Sequence, residues 1–205
     1  FIILILFDTR RFVSLIATYL KSMKQQDLDD ARMELSIKAK NGIDFITSAS
    51  IIWVIITFIW TLSYAAYTKS VFTLMASGLM LPLAFIFSKV YKAQWKIQDN
   101  ALQPLGLILN IAQLFYFPFL ILSLIKFPNY FVLAYAVITG AHFFPYSWFY
   151  NKKAYGFFGG LISLGTLVIG LIAQPENMFY IPLYTSVCLV VLGIALQSSS
   201  RRDYK

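Results

Sequence analysis

The chain has 205 residues, 59% of them hydrophobic and 13% charged, with 17 Lys and Arg against 9 Asp and Glu and a formal net charge of +8. Soluble domains carry about 25% charged residues, so an ordinary soluble domain is excluded; Cys188 is the only cysteine, which excludes a disulfide or a cysteine-based zinc site within one chain. The cations fall between apolar segments, where they set orientation in a membrane rather than grip nucleic acid.

The chain opens on FIILILF, seven apolar residues followed at once by DTRR. That run is too short to cross a bilayer, and its basic residues follow the apolar stretch, the reverse of a secretory signal. The expectation is that the protein begins at Met23 and that residues 1–22 are an upstream extension; the rival reading is an interfacial amphipathic anchor. Residues 23–42 read as a short cytoplasmic amphipathic helix. Asp27, Asp29 and Asp30 lie near its start and Lys38 and Lys40 near its end, the order that complements a helix dipole. Leu28, Ala31, Leu35 and Ala39 give it one weakly apolar face, and Asn41-Gly42 is a bend.

Six windows then lack any Asp, Glu, Lys or Arg. Asp44 to Lys69 encloses 24 residues, Lys69 to Lys89 19, Asp99 to Lys126 26, Lys126 to Lys152 25, Lys153 to Glu176 22 and Glu176 to Arg201 24. About 20 apolar residues in a helix cross a hydrocarbon core of about 30 Å, and the windows do not alternate as barrel strands do. The fold class is therefore an all-α polytopic membrane protein, a bundle of six transmembrane helices over 43–200 with spans at about 43–66, 71–91, 104–125, 129–150, 154–173 and 178–198, ending in a basic tail at 201–205. Asp99 or Asn100 is expected to cap the third span, with Pro104 in its first turn. If the segment before the first span is cytoplasmic, that side holds Arg32, Lys38, Lys40, Lys89, Lys92, Lys96, Lys152, Lys153, Arg201, Arg202 and Lys205. The other side holds Lys69 and Lys126. The asymmetry puts both termini in the cytoplasm.

Small and polar residues mark where membrane helices meet. They form stripes at Asp44, Thr47, Ser50, Thr57 and Thr61 in the first span and, more thinly, at Thr73, Ser77, Ala84 and Ser88 in the second. The third carries Gln103, Gly106, Asn110 and Gln113; the fourth Tyr135, Thr139, His142 and Tyr146; the fifth Gly156, Gly159, Ser163, Thr166 and Gly170. Gly156 and Gly160 also make a GxxxG spacing. Pro82, Pro118, Pro145 and Pro182 fall inside spans, where each removes a helix hydrogen bond. Packing explains most of this, yet Asn and Gln carry more polar atoms than close packing needs.

The only histidine, His142, lies in GAHFFPYSWFY, residues 140–150. Phe144 to Tyr150 read as an aromatic belt at headgroup level. His142 sits about 13 Å deeper than Asn151, where an ionisable group is a functional candidate by default. A hydrogen bond to Asn110 or Gln113 is the structural alternative. The candidate polar cavity is thus Asn110, Gln113, His142 and Tyr146, with Asp44, Tyr135 and Thr139 as secondary members. No catalytic motif, metal-ligand set or cofactor fingerprint is legible, so no catalytic residue, metal or cofactor is assigned.

At ELSIKAKNGIDFITSASIIWVIITFIWTL and GAHFFPYSWFY the chain resembles a family of uncharacterised bacterial multi-pass membrane proteins, domain of unknown function 7010, over Met33 to the C-terminus. The resemblance implies the bacterial cytoplasmic membrane and supplies no activity and no site residues. Two functions lead, with a membrane enzyme third. One is a small transporter or permease-like protein with a polar intramembrane cavity. The other is a non-catalytic accessory, sensor or assembly subunit. Its partners are the lipid bilayer and, for the second reading, another copy or another membrane protein, with no nucleic acid.

Overall fold

The structure, a computed structural model, describes residues 25–203, with side chains described over 26–199. The expected extension at 1–22 and the terminal Lys205 lie outside these. Among the described residues there is no strand, and the α-helices are α1 (Gln25–Lys38), α2 (Ile43–Thr61), α3 (Ala66–Ser77), α4 (Met80–Tyr91), α5 (Gln103–Leu114), α6 (Phe117–Lys126), α7 (Phe131–Phe149), α8 (Lys153–Ile172) and α9 (Tyr180–Asp203).

Helix α1 carries Asp27 in its first turn and Lys38 in its last. Its weak apolar face docks on the rest of the chain: Leu35 is buried, and Leu28, Ala31 and Ala39 pack against the same core. The bend at Asn41-Gly42 is sharper than the sequence suggests. Lys40, Asn41 and Gly42 are three consecutive residues at positive φ (52°, 56° and 69°). Each non-glycine residue there costs roughly 1–2 kcal/mol, so the surroundings must impose the turn. Ser36 Oγ bonds Asn41 Oδ1, and the Tyr155 hydroxyl donates to the Asn41 carbonyl at 2.6 Å.

Prolines explain how two of the long apolar segments differ from single rods. Pro82 lacks the N–H that would reach the Gly78 carbonyl, and the chain turns between α3 and α4 at Gly78–Leu79. Pro118 leaves the Leu114 carbonyl without its helical donor, and α5 gives way to α6 at Phe115–Tyr116. Pro145 leaves α7 continuous, and Pro182 lies in the first turn of α9. The second segment starts at Ala66 rather than 71, so Lys69 lies inside α3. Its ammonium reaches back to the Trp60 carbonyl at 3.4 Å and over the Trp60 ring at 5.5 Å, as a long cationic stem does at a helix end.

Against six expected spans, five helices among the described residues are long and apolar enough to cross a membrane: Lys40–Thr61, Ala66–Tyr91, Gln103–Lys126, Lys153–Ile172 and Pro175–Ser199. The difference falls on α7. It has 19 residues, about 28 Å of helix, but His142, Pro145, Tyr146, Ser147 and Trp148 dilute its apolar character. Its partner is α8, antiparallel along the whole length. A Cβ on Gly156 would meet Ser147, one on Gly159 the Gly140 carbonyl at 2.8 Å, and one on Gly170 the Leu133 side chain. The Ser163 hydroxyl bonds across to the Val137 carbonyl at 3.1 Å. The small-residue stripe on α8 is therefore a packing seam. The GxxxG pair does not work as a unit, because a Cβ on Gly160 would meet nothing within 4 Å.

The hydroxyls of α2 and α3 are largely satisfied within their own helices. Ser48, Ser50, Thr57, Ser70, Thr73 and Ser77 donate to carbonyls four residues earlier in their own helices. Trp60 Nε1 donates to Thr73 Oγ1 at 3.0 Å, tying α2 to α3. Helix α9 packs on both α2 and α8, and α4 packs on α2. Large apolar side chains cover the outside: Phe58 is 65% exposed, Met75 67% and Leu171 75%. A water-solvated protein rarely exposes a contiguous apolar surface of this extent; the bundle is compatible with a membrane location.

Candidate functional site

At one end of the bundle lie α1, the loop 92–102, the α7–α8 turn and the end of α9, joined by Asn100 Nδ2 to the Ala31 carbonyl (2.9 Å) and by Lys152 Nζ to Ser199 Oγ (3.0 Å). Arg32 fastens α1 here. Its Nε donates to the Trp148 carbonyl at 2.8 Å, its NH2 to Asn151 Oδ1 at 3.2 Å, and its guanidinium lies 4.8 Å from the Trp148 ring centroid. Glu34 accepts from Lys38 Nζ at 2.5 Å and Asn100 Nδ2 at 2.7 Å; the Lys38 bond, then the Asn100 bond, hold its carboxyl below the usual carboxylate range.

The four primary candidates come together only in part. Helix α5 meets α7 through Gly106, where an added Cβ would lie 2.8 Å from the Phe149 ring. One turn on, the Tyr146 hydroxyl donates to Asn110 Oδ1 at 3.1 Å, and Asn110 Nδ2 donates to the Gly106 carbonyl at 2.9 Å. This antiparallel register puts Gln113 level with His142, but no hydrogen bond joins them. Tyr146 takes the place expected of His142. The imidazole is half-buried and meets the Tyr146 ring edge-on, centroids 5.2 Å apart. Asn110 is exposed and Gln113 half-buried, so these residues line one side of α7 rather than an enclosed cavity. An open cavity of about 540 Å³ lies at the opposite end, lined by Ile169, Ile172, Gln174, Asn177, Tyr180 and Tyr184 among others.

The secondary candidates are placed elsewhere. Tyr135 stacks on Trp53 at 5.2 Å, and Thr139 is buried and donates to the Tyr135 carbonyl at 2.8 Å; both face the core. Asp44 is 1% exposed, in the first turn of α2, and accepts from Trp95 Nε1 at 2.7 Å. The dipole of α2 favours a carboxylate there.

Between Asp44 and Tyr146 stand Tyr150, expected in the aromatic belt, and Tyr155, to which the sequence assigned no role. Tyr146, Tyr150 and Tyr155 form a triangle with ring centroids 5.8–5.9 Å apart. The rings of Tyr150 and Tyr155 close around Gly42. The expected aromatic belt splits accordingly: Phe144 and Trp148 are exposed, while Tyr146, Phe149 and Tyr150 are buried. The available signal was their three- and four-residue spacing, which puts 146, 149 and 150 on one face of a helix.

Trp95 was missed altogether. Its indole stacks on Phe45 at 5.2 Å and meets Phe85 edge-on at 6.0 Å, so the loop 92–102 is a strap across the end of the bundle. Gln103 clamps that strap, accepting from the Ile97 N–H and donating to the Trp95 carbonyl, both at 3.0 Å. Asn100, expected as a cap, accepts from the Leu102 N–H at 3.0 Å, one residue before α5 begins. Above the strap α4 and α5 separate. Helix α4 packs on α2 and α5 on α7, and α4 and α5 scarcely touch, whereas α3 and α6 meet at the other end, where Ser70 Oγ reaches the Pro128 carbonyl at 3.3 Å.

Among the described residues no group of three or more His, Cys, Asp or Glu could hold a metal. A family model described as "Family of unknown function (DUF7010)" matches residues 28–199. No curated protein matches the chain, and no solved structure does.

Proposed function

The chain belongs to the DUF7010 family of unknown function, and we propose that it is a small permease-like protein whose substrate path starts in the gap between α4 and α5. Asn110, Gln113, His142 and Tyr146 line that path. The observation that carries this reading is the pair of interrupted helices. Two neighbouring segments are each broken by a proline turn near mid-length, and beyond the breaks they diverge toward the α1 end. Discontinuous helices beside midplane polar groups are how many carriers form a site. Polar side chains in hydrocarbon are costly unless they face water or a ligand.

The surroundings proposed for this path are the bacterial cytoplasmic membrane, crossed six times, with the α1 end in the cytoplasm. The strongly cationic end would then face inward. Helix α7 would cross because it runs the full length of α8. A second reading, an accessory or assembly subunit, draws on α5, α6 and the turn between them, which expose Leu114, Phe115 and Phe119 to a partner.

Single cysteines at Gln113 and His142, on a Cys188→Ser background, separate the two. The permease reading predicts labelling of both by a membrane-impermeant thiol reagent. Labelling by a lipophilic maleimide alone removes the water path and leaves the subunit reading.

A further inference from the structure

The two helices that flank the gap carry exposed apolar side chains, Phe85, Ile86 and Val90 on α4 and Leu107 and Ile111 on α5. Water alone is a poor occupant for such walls. The mouth is different. The strap joins the end of α4 to the start of α5, so its residues border the gap. Lys89 stands in the last turn of α4 over the Phe85 ring at 5.0 Å. Lys92 and Lys96 are exposed on the strap, with no acidic partner among the described residues. Asp99 is the one acid between Asp44 and Glu176, and Asp44 is buried behind Trp95 on the indole N–H. Three cations thus border a hydrocarbon slot whose mouth is held in place by the Gln103 and Asn100 bonds and by the Gln94 N–H on the Lys38 carbonyl at 2.9 Å.

We propose that this slot binds an anionic phospholipid, its phosphate held by Lys89, Lys92 and Lys96 and an acyl chain lying between α4 and α5. Charge complementarity selects the occupant. A zwitterionic headgroup brings its own cation to the lysines, whereas a net negative one neutralises them. Basic pockets between membrane helices recognise anionic headgroups on this principle. The Trp95 indole, wedged between Phe45 and Phe85, closes the slot on the strap side and offers its face to the upper acyl chain. The proposal rests on the gap used by the permease reading but not on solute moving through it. Closure of position 113 to impermeant reagents would remove that reading and leave the lysine effect intact.

The test is native mass spectrometry of the full chain in detergent, titrated with phosphatidylglycerol or phosphatidylcholine. A lysine near an anionic surface is worth about 1 kcal/mol, or about fivefold. The wild type should hold phosphatidylglycerol at least tenfold more tightly. K89Q/K92Q/K96Q should abolish the preference, while K69Q/K126Q, at the opposite end, should keep it. K92Q alone, expected to lose about fivefold, serves if the triple variant does not fold. Equal binding of the two lipids, a preference surviving in the lysine variants, or displacement of the lipid by inorganic phosphate would each overturn the proposal.

Discussion

Replacing Gly140 with alanine tests the reading of the α7–α8 stripe as packing rather than as a polar path. The added methyl would lie 2.5 Å from Ser163 Oγ, 2.7 Å from Ser163 N and 2.8 Å from the Gly159 carbonyl oxygen. The hydroxyl can rotate away, losing its bond to Val137, worth ~0.6 kcal/mol. The two backbone atoms cannot. They must retreat by about half an ångström or more, which separates the helices, and forced overpacking costs roughly 1–3 kcal/mol. Gly160→Ala is the control, since its methyl meets nothing within 4 Å. Both substitutions gain the same helix propensity, up to ~1 kcal/mol, so that gain cancels in the comparison. Gly140→Ala should be less stable than Gly160→Ala by about 2–3 kcal/mol, read from reversible unfolding in mixed micelles followed by circular dichroism. Two alanine variants within about 0.5 kcal/mol of each other would refute the close approach of α7 and α8.

Other substitutions probe the polar groups. Tyr146→Phe removes the hydroxyl that holds Asn110; the loss should be about 0.6 kcal/mol, seen as faster amide exchange in α5 with α8 unchanged. Gly42→Ala should destabilise by at least ~1 kcal/mol, because φ is +69° and the new methyl would lie 3.1–3.3 Å from Tyr150 and Tyr155; chemical unfolding in detergent measures it. Glu34 has a folded-state pKa held below its ordinary value by Lys38 and Asn100. Its contribution is therefore present above the unfolded carboxylate pKa and lost as pH falls through the folded one. Proteolysis of α1 should accelerate in that acidic window, and Glu34→Gln should flatten the profile. Pro118→Ala restores a donor for the Leu114 carbonyl, so amide protection at 115–118 should rise as α5 and α6 join.

The helical class and the positions of the apolar segments were legible because the distance between charges measures them directly. Helix α1 and its bend were legible for similar reasons, through Asp27, Lys38 and Asn41-Gly42. Residue type misplaced part of α7: Tyr146, Phe149 and Tyr150 look interfacial but are buried, as their helical spacing allows. The site was half legible. Asn110 and Tyr146 do meet, yet the partner expected for the amide was His142, because two residues at similar depth give no indication of which rotates toward which. Trp95 was invisible, since its role depends on a strap folding back onto Asp44 across 51 residues, and no local pattern encodes such a contact. Lys69 was placed outside a helix because a charge marks the reach of the ammonium, not of the backbone that carries it.

The account depends most on α7 crossing the bilayer beside α8 despite its diluted apolar character. Single cysteines at Asn129 and Asn151, on the Cys188→Ser background, report this with an impermeant reagent applied to intact cells or to inverted vesicles. The prediction is opposite sidedness, position 129 reached from outside and position 151 from inside. Labelling of both from the same side would place α7 on the surface, leave five crossings, and contradict the account.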